Sequence, residues 1–197
     1  MSPRPRTVDD AEIGAAFARV IAKIGPAKLT LAAIAKEAGL APATLIQRFG
    51  SKQKLLITLS KGAADGTALV RRLQAEGQKP LAIVRTFLLC YAAMAPTPQA
   101  MIHSFSAYLQ IDLADPTLRR YLVASGRTNE RLLAGLLAQA VAARALRPVD
   151  TAGLARALFA LTSGSLLAWA TVRKGTATAW LARDIDLILG TAGAVSA

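Results

Sequence analysis

The chain has 197 residues, 53% of them hydrophobic and 5% aromatic, and carries a formal net charge of +12. An Ala- and Leu-rich composition of that length supports an all-helical protein with a substantial core, and the basic excess suits a polyanionic partner. One cysteine, Cys90, excludes an intramolecular disulfide and suits a reducing cytoplasm, while one histidine, His103, excludes a His-based metal cluster or a His-bearing triad with its full set of parts.

The charge is uneven along the chain. Residues 1–61 hold ten Lys and Arg against four Asp and Glu, and the same net +6 is diluted over residues 62–197. Residues 1–7 form a Pro/Arg arm whose Arg4 and Arg6 either enter a minor groove or stay solvated. No apolar core follows that would make a signal peptide. Asp9 or Asp10 caps a first helix reaching about Ile24, with Ile13, Phe17, Val20, Ile21 and Ile24 repeating at three and four residues on a buried face. Gly25-Pro26 ends it.

Residues 29–56 read LTLAAIAKEAGLAPATLIQRFGSKQKLL, two short helical patterns joined by a turn at Ala38-Gly39-Leu40. Thr30 can cap the first, with Leu29 and Ile34 at hydrophobic-staple spacing. Gly39 frees the turn, and Pro42 fits the first turn of the next helix. Ser51 caps a fourth helix, predicted to run from Lys52 into the low seventies. Beyond Gly77, breaks at Pro80, 95–98, Asp115-Pro116, Arg147-Pro148 and 174–176 divide helices expected at about 81–94, 99–110, 116–144, 151–173 and 177–190, nine in all. The apolar stretches 87–95 and 157–172 fall short of the roughly 20 residues that cross a bilayer. The expectation is a soluble, cytoplasmic protein without a membrane partner.

A helix-turn-helix lays its second helix in the major groove of double-stranded DNA. On that helix Ala43, Thr44, Gln47 and Arg48 are available outward. Gln pairs with adenine, Arg with guanine, and small apolar side chains meet thymine methyls. Thr30, Pro42 and Lys52 sit at helix starts, where free amides and the dipole favour phosphate. Leu31, Ile34, Ala35, Leu45 and Phe49 form the seam beneath. The plainer reading of Gln47 and Arg48 is a solvated surface.

The order and spacing of Thr30-Leu31, Ile34-Ala35, Ala38-Gly39-Leu40, Thr44-Leu45, Phe49, Ser51-Lys52 and Leu55 resemble the N-terminal domain of TetR/AcrR-family regulators over residues 8–61. The resemblance implies a DNA-binding domain at 1–61 and a helical effector-binding and dimerisation domain at 62–197. It further implies a homodimer on a roughly palindromic operator, released by a small-molecule effector. Two departures stand out. Ala41 replaces the family's hydroxyl cap, which typically costs about 1 kcal/mol. Ile46 replaces a tyrosine that contacts phosphate.

In the body, Gly153, Ala157, Ala160, Gly164 and Ala168 make a small-residue stripe suited to close helix approach between subunits, or to a packing groove within one. Phe87, Tyr91, Met101, His103, Phe105, Tyr108 and Trp169 are candidates for an apolar ligand pocket, though each alone also suits a core. Cys90, inside FLLCYAAM, is expected to be a buried, inert thiol. An enzyme is disfavoured: Asp184 and Asp186 diverge on a helix, no Gly-rich phosphate loop follows a strand, and no catalytic residue, metal or cofactor is expected. A non-specific DNA-binding module and a transcriptional activator stay open as alternatives.

Overall fold

Three of the first four helices begin where the sequence supplies a side-chain cap. In the computed structural model, which describes residues 8–62, 66–94 and 96–193, Asp9 accepts from the Glu12 amide at 2.8 Å while Glu12 reaches back to the Asp9 amide, a reciprocal pair that opens α1 (Asp10–Ile24). Thr30 accepts from the Ala33 amide and opens α2 (Leu31–Glu37). Pro42 occupies the first turn of α3 (Pro42–Phe49) after Ala41, which offers no side-chain cap. Ser51 accepts from the Lys54 amide at the head of α4 (Lys52–Gly62). There follow α5 (Thr67–Ala75), α6 (Pro80–Ala93), α7 (Pro98–Ala107), α8 (Pro116–Ala142), α9 (Thr151–Val172) and α10 (Ala177–Thr191), with a 3-10 turn at Pro26–Lys28 and a π-turn at Tyr108–Asp112. The described residues contain no strand.

One predicted helix is two. The stretch expected to continue from Lys52 into the low seventies is interrupted, with Gly62 closing α4 and Gly66 preceding α5. Glycine is required at 66. A Cβ there would overlap the Phe87 ring, and the Gly66 amide donates to Asn129 Oδ1 at 2.9 Å.

The chain divides into two compact units. The first comprises residues 1–63 and 103–122. Its core joins Ile13, Val20, Ile21, Leu29, Ile34, Ala35, Leu45, Phe49 and Leu55 with Ala107. Its extent differs from the predicted 1–61 domain, because residues 103–122 join it. Ala107 is buried in its core, Ile111 packs on that core, and Gln53 donates to Asp115 at 2.9 Å. Asp115 also accepts from the Thr117 and Leu118 amides at the start of α8, and these donors hold its carboxyl below the usual range.

The second unit comprises residues 64–102 and 123–197. Its core is mainly aliphatic, with Ile83, Leu88, Leu133, Leu136, Leu137, Leu158, Leu181 and Ile185 fully enclosed beside Phe87 and Trp169. Arg85 on α6 forks onto Asp186 of α10 at 2.9 and 3.1 Å. Ser165 on α9 donates to Asp184 at 2.6 Å. The two aspartates therefore turn to different partners. At 22 residues α9 is long and apolar enough, by length and composition alone, to cross a membrane. Seven of its residues, Trp169 among them, are buried in this unit.

Candidate nucleic-acid interface

α3 has only two buried side chains, Leu45 and Phe49. Everything else along it, from Pro42 through Thr44 and from Ile46 to Arg48, is exposed. At 3.6 residues per turn, Ala43 and Gln47 point most directly away from the Leu45/Phe49 seam, with Thr44 and Ile46 on either flank. Gly39, at φ +70°, makes the turn that delivers α3 onto α2, where most side chains would be strained. The scaffold beneath is pinned by Glu37, which accepts from Lys23 at 2.8 Å and Arg19 at 2.7 Å. The Lys23 ammonium, with the Arg19 guanidinium, holds the Glu37 carboxyl below its usual range.

Two cations predicted at this surface have partners within the unit. Arg48 donates to the Val8 carbonyl at 2.6 Å, pairs with Asp10 at 2.7 Å and lies 5.4 Å above the Phe49 ring centre. Its guanidinium is thus drawn to the start of α1, a role its place on α3 did not suggest. Lys52 Nζ donates to the Leu29 carbonyl at 3.3 Å, tying the head of α4 to the entry of α2. Arg4 and Arg6 lie outside the described residues. Ile46 was noted in sequence only for the hydroxyl it lacks, yet it is 52% exposed on the presented face.

The seven side chains proposed for a pocket do not fall in one unit. Phe87 and Trp169 belong to the core of the second, and Tyr91 and Met101, partly buried, pack against it. Phe87 and Tyr91 meet edge-on at 6.0 Å, and Tyr91 meets Phe159 at 5.8 Å. Tyr91 also accepts from Asn129 Nδ2 at 3.3 Å, and burial raises its phenol above the usual value. Asn129 is only 6% exposed. Nothing in TNERLL separates it from a solvated polar residue, so sequence reading missed it. His103, Phe105 and Tyr108 belong to the first unit. His103 Nδ1 lies 3.0 Å from the Ala22 carbonyl, which can only accept, so that nitrogen carries the proton. Phe105 and Tyr108 stack at 6.2 Å.

A groove of about 450 Å³ runs between α5 and α8 of the second unit, with Val70, Leu132 and Leu136 on its floor and Arg71 and Arg131 at its rim. Cys90 is exposed, contrary to expectation. Phe87, Leu88 and Ala92 take the buried side of α6, which leaves position 90 on the opposite side. On α9, Ala157, Ala160, Gly164 and Ala168 are all exposed, with Gly153 half-buried. The stripe therefore faces out of the unit and is not an internal packing groove.

A capped helix, a glycine turn and a second helix presented outward form a helix-turn-helix, the arrangement that lays its second helix in the major groove of DNA. Residues 13–59 match the family described as bacterial regulatory proteins, tetR family. The chain is 28% identical over 139 residues to the HTH-type transcriptional regulator BetI of Rhizobium meliloti (strain 1021), covering 68% of this chain and 64% of that protein. It therefore spans a little under two thirds of that relative's length. Among solved structures, the fatty acid degradation regulator FadR from Bacillus halodurans superposes with a TM-score of 0.70 at 20% identity, over 98% of this chain and 100% of that one. FadR of Thermus thermophilus, in complex with lauroyl-CoA, superposes at 0.59 and 22% identity, over 96% and 97%. The chain is all-helical, with an N-terminal helix-turn-helix that is similar to that of the tetR family over residues 13–59.

Proposed function

We propose that the chain is a cytoplasmic, non-enzymatic repressor that binds a roughly palindromic operator as a homodimer and leaves it when a small, largely apolar molecule binds. The observation that carries this reading is the exposed face of α3, where Ala43, Thr44 and Gln47 stand clear of the buried Leu45 and Phe49. Thr30, Pro42 and Lys52 mark the helix starts that would approach phosphate. Arg48 is assigned a different task, bracing α3 against α1. Two copies meet through α9 and α10, of which α9 carries the outward Ala/Gly stripe and α10 an exposed Leu187. An apolar surface of that kind is costly to leave in water and permits close helix contact.

For the effector, Phe87, Tyr91, Met101 and Trp169 supply apolar walls and the Tyr91–Asn129 pair a polar anchor. The lauroyl-CoA carried by the Thermus thermophilus neighbour supports an acyl-bearing amphiphile as the class to try first. His103, Phe105 and Tyr108 are not retained for that pocket. His103 instead ties residues 103–122 to α1 through the Ala22 carbonyl, and Phe105 and Tyr108 stack on each other within that segment.

A mobility-shift assay on the DNA upstream of its own gene tests the reading. Specific retention with affinity falling steeply as salt rises is expected, since each neutralised phosphate releases counterions. Equal retention of a scrambled duplex would instead indicate binding without sequence preference. Mass analysis of small molecules copurifying with the protein identifies the effector.

A further inference from the structure

The exposed face of α3 carries two parallel rows at i, i+3 spacing. Ala43 and Ile46 make an apolar row, and Thr44 and Gln47 a polar row beside it. The one long cation on this helix, Arg48, has its guanidinium taken by the Val8 carbonyl and the Asp10 carboxylate, with the Phe49 ring beneath. Releasing it would leave Asp10 and the Val8 carbonyl without that donor. Ile46 is in the reverse situation. Half of it lies open to water, and its branched side chain has little rotamer freedom left to lose in a helix. In the major groove the apolar feature of the base code is the thymine C5-methyl.

Resting on the reading of α3 as the DNA-reading helix, we propose that Ile46 is a specificity-determining residue that packs against a thymine methyl in each half-site, and that Arg48 is a positioning residue and not the reader of a guanine. The apolar row then selects thymine while Gln47 pairs with a neighbouring adenine. The recognised half-site is defined by methyl groups and one amide pair, without a bidentate arginine.

The experiment uses the full chain to enrich duplexes from a random library, and then replaces single bases in the enriched half-site. Uracil in place of thymine removes only the methyl, and 7-deazaguanine in place of guanine removes the N7 acceptor. Affinity is read by fluorescence anisotropy for the wild type and for Ile46→Ala, with thermal melting to check that this exposed substitution leaves folding intact. At one thymine per half-site, uracil is expected to weaken wild-type binding about fourfold, the equivalent of about 0.8 kcal/mol for one methyl-sized group. The same change is expected to cost Ile46→Ala nothing, and 7-deazaguanine less than about twofold. Uracil costing both proteins equally, no thymine being sensitive to it, or 7-deazaguanine giving the larger loss would each overturn the assignment. A library from which no sequence is enriched would instead overturn the reading of α3 on which it rests.

Discussion

The helix α3, proposed to read DNA, and the long helix α9 both expose one side, but they expose different chemistry. α3 buries two side chains of eight and presents a hydroxyl, an amide and a branched aliphatic group. α9 buries seven of 22 and presents Ala157, Ala160, Gly164 and Ala168, which keep every atom close to the backbone. A helix with so little burial is held in place by its neighbours, and its projecting groups can reach into a groove. A smooth helix has nothing to reach with, but another helix can lie close against it. Exposure alone does not separate a surface that reads from a surface that packs; the length and polarity of the exposed side chains do.

The sharpest way to break this contrast is to roughen α9. Gly164→Arg places a long cation where an added Cβ meets nothing within 4 Å in the subunit, so the subunit itself should fold. Sedimentation velocity should show a monomer, and operator affinity should fall by about 100-fold or more as the two half-sites lose their linkage. A variant that stays dimeric would mean the smooth face of α9 is not what packs. Next in size is Asn129→Ala, which removes the acceptor of the Gly66 amide and the donor to Tyr91. Urea unfolding should register a loss of about 1–3 kcal/mol, the usual cost of stranding a buried polar partner. The operator affinity of the folded fraction should stay within about twofold if the two units act as separately as their cores suggest.

Much of the helix-turn-helix was legible because its signals are local. Asp9, Thr30, Pro42 and Ser51 act within a turn of where they stand, and each begins the helix expected of it. The break at Gly62 and Gly66 was hidden because its reason lies elsewhere, in Phe87 and Asn129. The partners of Arg48 were hidden for the same kind of reason, since Asp10 and Val8 lie some forty residues before it. Residues 103–122 joining the first unit, with His103, Phe105 and Tyr108 among them, and the exposure of Cys90 are likewise tertiary facts. Helical periodicity marks a side chain as apolar and inward, but it cannot say toward which core.

α3 also lacks what the other three helices of the reading head possess, a side-chain cap. Ala41 already has the extended backbone of a cap residue, at φ −70° and ψ 142°, and it is exposed. Ala41→Ser should therefore add stability, by about 0.5–1 kcal/mol in urea unfolding, without moving α3. Operator affinity that rose more than the stability change explains would show that the uncapped helix frays and is ordered only on DNA.

The smallest effect separates two kinds of carboxylate within the first unit. Glu37 and Asp115 are held below the usual range by their donors, so each supports folding at neutral pH and withdraws that support as pH falls through its folded value. Asp112 closes the π-turn, and burial raises its carboxyl above the ordinary 3.8. The sign is then opposite. The unfolded chain gives up this proton first, so stability is lost as pH rises from the ordinary value through the raised one. Asp112→Asn removes the charge and keeps the shape. Melting temperatures at pH 7 should favour the variant, and near pH 3, where both carboxyl states are protonated, the difference should close. A variant less stable than wild type at pH 7 would mean that the Asp112 carboxylate is stabilised by a partner whose effect exceeds the cost of its burial.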